Sequence, residues 1–247
     1  MKRDQMERHR AEHLKVLAAG KCTLKRSASD IKHTFFYFWF SFLIHWKILL
    51  IIALLTIGIS LFVVRPVEGD FNSWLKQAFD PNHWDSASQW VSWTGEYLFH
   101  LVVFIPLLAI GRILRSRRIQ VLAICVLLSI VTSSLTVRAG KFSFGRLRPV
   151  VAERLDKPDT FIGPTINPKY HSYPSGHTAA AFATSTPVQV CAPLLAIPLT
   201  LYAGTVALSR TYNNQHYVSD LIAGLVIGVL VSMPSRRLWN EIGKAEN

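Results

Sequence analysis

Two side chains near the C-terminal end of the chain have the types and spacing of a nucleophile and its orienting partner. His216 and Asp220 are four residues apart, so a helical start would place both on one face, where the carboxylate accepts one imidazole N–H. The other ring nitrogen is then unprotonated and able to attack an electrophile. Ser209 and Arg210 precede the pair and add a cation. A helix-capping pair beside an anchoring arginine is the structural alternative.

A second cluster consists of cations. Lys141 and Arg148 are seven residues apart, with Arg146 between them and Pro149 directly after. If this segment is helical, Lys141 and Arg148 lie on nearly one face, about 10 Å apart along the axis, and both can contact one anion. The cluster taken alone also fits a pair of interfacial anchors whose charged ends reach the lipid headgroups.

The third cluster is Pro174-Ser175-Gly176-His177, which leads into a helix predicted to begin near Thr178. Free backbone N–H groups at a helix N-terminus form an anion site without any side-chain charge, and glycine allows the anion to approach closely. Ser175 could equally be only a helix cap, and His177 only an interfacial histidine.

The composition of the rest of the chain is that of a membrane protein. Half of the 247 residues are hydrophobic and the mean hydropathy is +0.27, which is too apolar for a soluble domain of this length. Helices of roughly 20 apolar residues are needed to cross a hydrocarbon core of about 30 Å. Candidate spans cover 48–64, 97–110, 121–137 and 221–233, and the stretch 175–210 is predicted to form two short helices that turn at Cys191-Ala192-Pro193. The sequence therefore predicts an all-α, polytopic bundle of six transmembrane helices.

The basic residues indicate how this bundle is oriented. The formal net charge is +12, and residues 1–33 hold nine Lys or Arg against four acids. Further arginines follow the second span and the last span: Arg112, Arg115, Arg117, Arg118, Arg236 and Arg237. By the positive-inside rule these segments are cytoplasmic, and all three polar clusters then emerge at the outer face. Because no continuous basic surface is left to follow a phosphate backbone, we expect no nucleic-acid partner.

The predicted organisation has three parts. Residues 1–33 form a basic cytoplasmic tail, 34–237 the six-span domain, and 238–247 a short cytoplasmic tail. A polar segment between the first two spans contains four tryptophans and is predicted to lie on the outer surface, partly in the interface. The three cysteines, Cys22, Cys125 and Cys191, are too far apart to indicate a disulfide framework or a zinc site.

Taken together, the three clusters resemble the signature of the type 2 phosphatidic acid phosphatase family, which shares its core with bacterial acid phosphatases and vanadium haloperoxidases. The matching motifs are Lys141-x6-Arg148-Pro149, Pro174-Ser175-Gly176-His177 and Ser209-Arg210-x5-His216-x3-Asp220. The resemblance spans roughly Leu98 to Met233 and implies six helices, a site at the outer membrane surface, and neither a metal nor another cofactor. One position departs from it: Asn214-Gln215 stand where Gly-Val often precedes the nucleophilic histidine.

The resemblance implies hydrolysis of a lipid phosphate. His216, oriented by Asp220, would attack phosphorus and form a phosphohistidine, and His177 would protonate the leaving oxygen and then activate water. The implied phosphate-binding groups are the side chains of Lys141, Arg148 and Arg210 and the backbone around Ser175 and Gly176.

Several readings of the function stay open. A phosphotransferase would pass the phosphoryl group to a lipid or sugar acceptor, and a membrane protein that only binds anions would not turn it over. Vanadate-dependent peroxidase chemistry is a more distant alternative. Phosphatidic acid, phosphatidylglycerol phosphate, polyprenyl diphosphate and lipid A phosphate all fit a phosphate site beside a bilayer. The chain has no N-x-Ser/Thr sequon, which favours a bacterial plasma membrane over a secretory one.

Overall fold

The computed structural model of the protein describes residues 35–36, 38–40, 47–48, 50–79 and 81–246. The predicted basic tail, residues 1–33, lies outside them. From Leu50 onward the helices are α1 Leu50–Val64, α2 Glu68–Ala78, α3 Pro81–Thr94, α4 Tyr97–Ile113, α5 Arg117–Phe144, α6 Pro149–Leu155, α7 Gly176–Cys191, α8 Ala196–Tyr212 and α9 Val218–Glu246. Short 3₁₀ turns cover Pro168–Tyr170 and Pro193–Leu195.

The all-α class is confirmed, and the apolar helices make this an integral membrane protein. Three stretches in the described part of the chain are long and apolar enough to cross a membrane: α5, Pro193–Tyr212 and Val218–Asn240. Trp84–Thr94 and Tyr97–Ile113, which meet at 52°, make a fourth if the bent pair is one span. The two short helices predicted within 175–210 are confirmed as α7 and α8. The total of six crossings stays a prediction.

The centre of the bundle is α7, which packs against α9, α5 and α8. Two glycines of α9 let its backbone lie directly on that of α7. A Cβ on Gly224 would be 2.5 Å from the carbonyl oxygen of Ser175, and one on Gly228 would be 2.6 Å from that of Ala179. Small residues at a helix crossing permit this close approach in a membrane protein. As a result, the N-terminus of α7 is held beside the start of α9.

The last helix is longer than predicted. We expected it to end at Pro234, but α9 continues through this proline to Glu246, so the segment predicted as a C-terminal tail is helical over most of its length. Proline removes one helical hydrogen bond and its ring crowds the carbonyl of the preceding turn, and packing against neighbouring helices offsets this cost. Pro234 is buried, consistent with such packing.

The helix that contains Lys141 ends before Arg148, so the two residues do not share the helical face that a continuous helix would give them. Helix α5 ends at Phe144, and Gly145 has a φ of +57°. A Cβ there would be 2.1 Å from the carbonyl oxygen of Gly163, so the turn needs glycine. Arg148 is the N-cap of the next helix, α6. The tertiary fold, and not a shared helical face, brings Lys141 and Arg148 together.

The tryptophan-containing segment between the first two predicted spans forms α2 and α3, which both contact α8. Its tryptophans are about half exposed or more: Trp74 57%, Trp84 48%, Trp90 70% and Trp93 50%. The turn after α3 lies against the bundle, because a Cβ on Gly95 would be 2.5 Å from Cγ1 of Val206 and 3.2 Å from Cβ of His177. This segment therefore forms one wall of the region that contains the third sequence cluster.

Candidate active site

His216 lies in the loop between α8 and α9 and is held by Asp220. The histidine precedes the first residue of α9, so the two do not share a helical face as we expected. Its Nδ1 is nevertheless 3.4 Å from Oδ2 of Asp220, and both residues are buried. The same carboxylate oxygen accepts hydrogen bonds from Oγ of Ser172 at 2.5 Å and from the backbone N–H of Tyr217 at 3.0 Å. Nε2 of His216 makes no hydrogen bond to any described residue.

The environment of His216 keeps its ring neutral. Burial lowers the pKa of His216 to about 3, although the hydrogen bond and the charge of Asp220 act in the opposite direction. At neutral pH the imidazole is therefore uncharged, with Nδ1–H directed at Asp220 and a lone pair on Nε2. This is the protonation state that a histidine nucleophile requires.

Arg146 is the residue that organises this pair, and the sequence assigned it no role. It is fully buried, and its Nη1 donates to Oδ1 of Asp220 at 2.6 Å and to Oγ of Ser219 at 2.5 Å. Its Nε and Nη2 donate to the two carboxylate oxygens of Asp159 at 2.9 and 2.8 Å, and Nη2 also contacts Glu68. Burial acts to lower the pKa of Arg146, but the three carboxylates outweigh it and raise that pKa. The guanidinium therefore stays charged.

The network around Arg146 extends to the ends of two other helices. Oε2 of Glu68, at the start of α2, accepts from the backbone N–H and the hydroxyl of Ser219 at 2.8 and 2.6 Å. Asp159 also accepts a hydrogen bond from Nε of Arg65 at 2.7 Å. The guanidinium of Arg146 stacks 4.1 Å from the ring centroid of Tyr217. No sequence pattern indicated these partners, because Glu68 and Asp220 lie more than 70 residues from Arg146.

The three cations that the sequence singled out make no ion pair with any described residue. Lys141 is in the last turn of α5, Arg148 caps α6 and Arg210 is in the last turn of α8. Arg148 donates from Nη1 to Oε1 of Gln215 at 3.0 Å, and Arg210 donates from Nη1 to Oγ of Ser92. Nε of Arg210 is buried and has no hydrogen-bond partner in the part of the chain that the structure describes. We call Lys141, Arg148 and Arg210 the cation clamp.

The N-terminus of α7 contributes fewer backbone donors than we expected. The N–H of Ser175 donates to the carbonyl of Asp220 at 3.0 Å and is not available to a ligand. The N–H groups of Gly176 and His177 have no acceptor among the described residues. A Cβ on Gly176 would be 3.7 Å from Nζ of Lys141, so the lysine ammonium lies against this turn.

The structure brings all of the predicted site residues into one region. His177 interacts electrostatically with His216 and with each cation of the clamp, and Asp220 and Ser175 are joined through their backbones. The arrangement places three cations, N–H groups without an acceptor among the described residues, and an oriented neutral imidazole close to one another. Such a set can bind a phosphoryl group and stabilise charge on its oxygens. Within the described part of the chain, no group of three His, Cys, Asp or Glu residues could hold a metal ion.

The chain is similar to known proteins in sequence and in fold. Residues 122–244 match the family described as the PAP2 superfamily. The lipid A 1-phosphatase of Porphyromonas gingivalis is 38% identical over 99 residues, which cover 38% of this chain and 19% of that protein. The chain thus matches about a fifth of the length of this relative.

Two solved structures share the fold. The crystal structure of Aquifex aeolicus LpxE has a TM-score of 0.52 at 23% identity, and the match covers 69% of this chain and 95% of that one. The PAP2 type phosphatidylglycerolphosphate phosphatase of Bacillus subtilis has a TM-score of 0.56 at 19% identity, covering 78% of this chain and 94% of that one.

Proposed function

This chain belongs to the PAP2 superfamily, and from that premise we propose that it is a membrane phosphatase of lipid phosphates. The observation that carries the proposal is the meeting of the cation clamp with an oriented, neutral His216. An anion-binding protein needs the cations alone. A buried imidazole whose Nδ1 is held by a carboxylate, and whose Nε2 has no partner among the described residues, supports a nucleophile.

In the first chemical step, Nε2 of His216 attacks phosphorus and the bond from phosphorus to the lipid oxygen breaks. Asp220 stabilises the positive charge that develops on the imidazole, and the cation clamp stabilises charge on the equatorial phosphoryl oxygens. His177 gives a proton to the leaving oxygen. The negative charge of bound substrate favours the protonated form of His177 that this step needs.

In the second step, His177 takes a proton from water, which attacks the phosphohistidine. The P–N bond breaks, inorganic phosphate is formed and His216 returns to its neutral state. Because one histidine acts first as acid and then as base, the cycle leaves the protein unchanged.

The direct test is phosphate release by purified protein in detergent, without an added acceptor. The substrates are phosphatidic acid, phosphatidylglycerol phosphate, polyprenyl diphosphate and lipid A 1-phosphate, with p-nitrophenyl phosphate as a soluble probe. We expect release from at least one of them, and no phosphoenzyme or release in His216→Ala. The control is His171→Ala, whose Nε2 contacts the carbonyl of Thr165 outside the clamp. If His216→Ala formed as much labelled phosphoenzyme as wild type, the mechanism would be contradicted. Turnover only in the presence of an acceptor would indicate a transferase.

We further propose that turnover needs no divalent metal. The support is electrostatic, since the three cations of the clamp already supply the positive charge that phosphoryl transfer requires. Activity should be the same before and after treatment with EDTA. Loss on chelation that Mg²⁺ or Zn²⁺ restores would show that the clamp is insufficient.

We also propose a bacterial plasma-membrane location with the site on the extracytoplasmic side. The connection between α4 and α5 contains arginines and lies at the start of α5, whereas Lys141 lies in the last turn of that helix. The positive-inside rule favours a cytoplasmic position for the connection, so the end of α5 that carries Lys141 would be extracytoplasmic. A single cysteine introduced at exposed Leu114 should be labelled only from the cytoplasmic side, and one at exposed Ile166 only from outside. Labelling of each cysteine from the opposite side would show that the protein has the inverse orientation.

A further inference from the structure

Glu68 is a buried carboxylate that reaches the candidate active site from outside the three sequence clusters. It is the first residue of α2 and is only 3% exposed. It also precedes the stretch 122–244 that matches the PAP2 superfamily, so neither the motifs nor the family match assigns it a role. Because burying a carboxylate is costly unless it is paired, the partners of Glu68 indicate what it does.

One oxygen of Glu68 caps the start of α9. Oε2 accepts hydrogen bonds from the backbone N–H of Ser219 at 2.8 Å and from its hydroxyl at 2.6 Å. Ser219 is the second residue of α9 and directly precedes Asp220. The first N–H groups of a helix have no partner within the helix, and a carboxylate placed there also interacts favourably with the helix dipole. Glu68 therefore holds the turn of α9 that carries Asp220.

The other oxygen of Glu68 contacts Arg146. Oε1 accepts from Nη2 of this guanidinium, whose Nη1 donates to Oδ1 of Asp220 at 2.6 Å. Glu68 is thus connected to Asp220 by two routes, one through the start of α9 and one through Arg146. Asp220 in turn holds Nδ1 of His216 at 3.4 Å. The orientation of the imidazole therefore depends on a residue of α2.

The charges of this network do not cancel. Among the described residues it contains three carboxylates and two guanidiniums, because Asp159 also pairs with Arg65. One net negative charge therefore lies on the Nδ1 side of His216. A negative charge in this position stabilises positive charge on the imidazole and weakens the binding of a nearby anion. Neutralising Glu68 alone would leave the network without net charge.

We propose that Glu68 is a positioning residue, which fixes Asp220 and, through the Arg146 network, stabilises the positive charge that develops on His216 when Nε2 attacks phosphorus. This role rests on the proposed phosphatase function. No hydrogen bond joins Glu68 to His216 or to the cation clamp in the described part of the chain, so it acts through Arg146 and Asp220. Glu68 therefore speeds the chemical step and lowers the affinity for the phosphate anion, which separates binding from catalysis.

The test measures two quantities with the purified protein in detergent. These are the first-turnover rate of p-nitrophenol release at saturating p-nitrophenyl phosphate, and Ki for inorganic phosphate. In Glu68→Gln the amide oxygen still accepts from Ser219, but the charge is lost. We expect the rate to fall about tenfold and Ki to fall about threefold, as for the loss of one unit charge inside a protein. Loosening of the site alone would lower the rate and raise Ki.

Asp156→Asn is the matched control, because it also removes one carboxylate. Asp156 is exposed at the end of α6 and has a φ of +50°, which asparagine tolerates. Its rate and Ki should equal those of wild type. If Glu68→Gln kept the wild-type rate, or lost rate without a lower Ki, the positioning role would be overturned and the phosphatase proposal would stand.

A second variant decides the matter if Glu68→Gln does not fold. Ser219→Ala removes the hydroxyl that lies between Glu68 and Arg146 and changes no charge. Its first-turnover rate should fall about threefold with an unchanged Ki, and a wild-type rate would overturn the role. If wild type released no phosphate from any of the proposed lipids or from p-nitrophenyl phosphate, the proposed function would fail and this inference with it.

Discussion

Arg146 and the cation clamp lie in the same part of the molecule but differ in their partners. Arg146 is fully buried and contacts three carboxylates, those of Glu68, Asp159 and Asp220. The three cations of the clamp contact no carboxylate among the described residues. Opposite charges that already satisfy one another hold a structure together, whereas neighbouring cations repel one another until an anion arrives. From this difference we propose that Arg146 positions Asp220 and that the clamp binds substrate.

The largest expected effect is the loss of stability when Arg146 is removed. Arg146→Ala would remove the counter-charge of Glu68 and Asp220 and leave Asp159 paired with Arg65 alone among the described residues. Breaking a buried ion pair costs about 3–5 kcal/mol. Thermal unfolding in detergent should show a much lower midpoint for this variant. Arg138→Ala, which removes an exposed arginine of α5, is the control. A midpoint equal to that of the control would show that the network does not hold the site together.

Removing a cation of the clamp should lower activity without lowering stability. Arg210→Ala removes a donor to the phosphoryl oxygens, and kcat/KM should fall by about 10²–10³-fold, as for other groups that stabilise developing charge. Because the variant also relieves repulsion within the clamp, its unfolding midpoint should equal or exceed that of wild type. Kinetic assays and thermal unfolding on one preparation check both statements. A variant that lost stability along with activity would place Arg210 in the structural group.

The pH dependence tests the neutral state of His216. With a pKa lowered to about 3, the ring is unprotonated at pH 5, whereas a histidine of ordinary pKa 6.5 would be only about 3% neutral there. Rapid-quench measurement of phosphohistidine formation at substrate concentrations well below saturation reports the free protein, and the second-order rate constants at pH 5 and pH 7 should therefore agree within about fivefold. If the rate fell about 25-fold from pH 7 to pH 5, as the neutral fraction of a histidine with a pKa near 6.5 does, burial would not be what sets the pKa of His216.

The smallest effect is expected from the neutral partner of Asp220. Ser172→Ala removes one hydrogen bond to the carboxylate and leaves Arg146 in place, so kcat should fall about three- to tenfold with KM nearly unchanged. Ser143→Ala, an exposed serine that bonds within its own helix, should match wild type. If Ser172→Ala lowered the unfolding midpoint as much as Arg146→Ala does, the hydroxyl and not the ion pair would position Asp220.

Local patterns in the sequence were sufficient for most of the helices and for the residue types of the site. The apolar run at 97–110 and the turn at Cys191-Ala192-Pro193 predicted α4, α7 and α8 well, because hydrophobicity and proline act over a few residues. His216 with Asp220 was also a local signal, since four residues separate them. The contact formed even though His216 lies outside the helix.

The features that the sequence predicted incorrectly depend on contacts with distant parts of the chain. Pro234 lies inside α9, where packing against neighbouring helices offsets its missing N–H. The turn at Gly145 depends on its close approach to Gly163, and the N–H of Ser175 is taken by the carbonyl of Asp220. None of these partners lies within the few residues over which propensity and periodicity operate.

The sequence by itself determined which groups are available for chemistry: a histidine with a carboxylate, three cations and a glycine-containing helix start. Tertiary structure decided how the charges are divided. Arg146 and Arg148 are two residues apart and chemically identical, yet among the described residues one is paired with three carboxylates and the other with none. Pairing depends on which distant carboxylates the packed helices bring within about 3 Å of each guanidinium, and a linear sequence does not encode that distance locally.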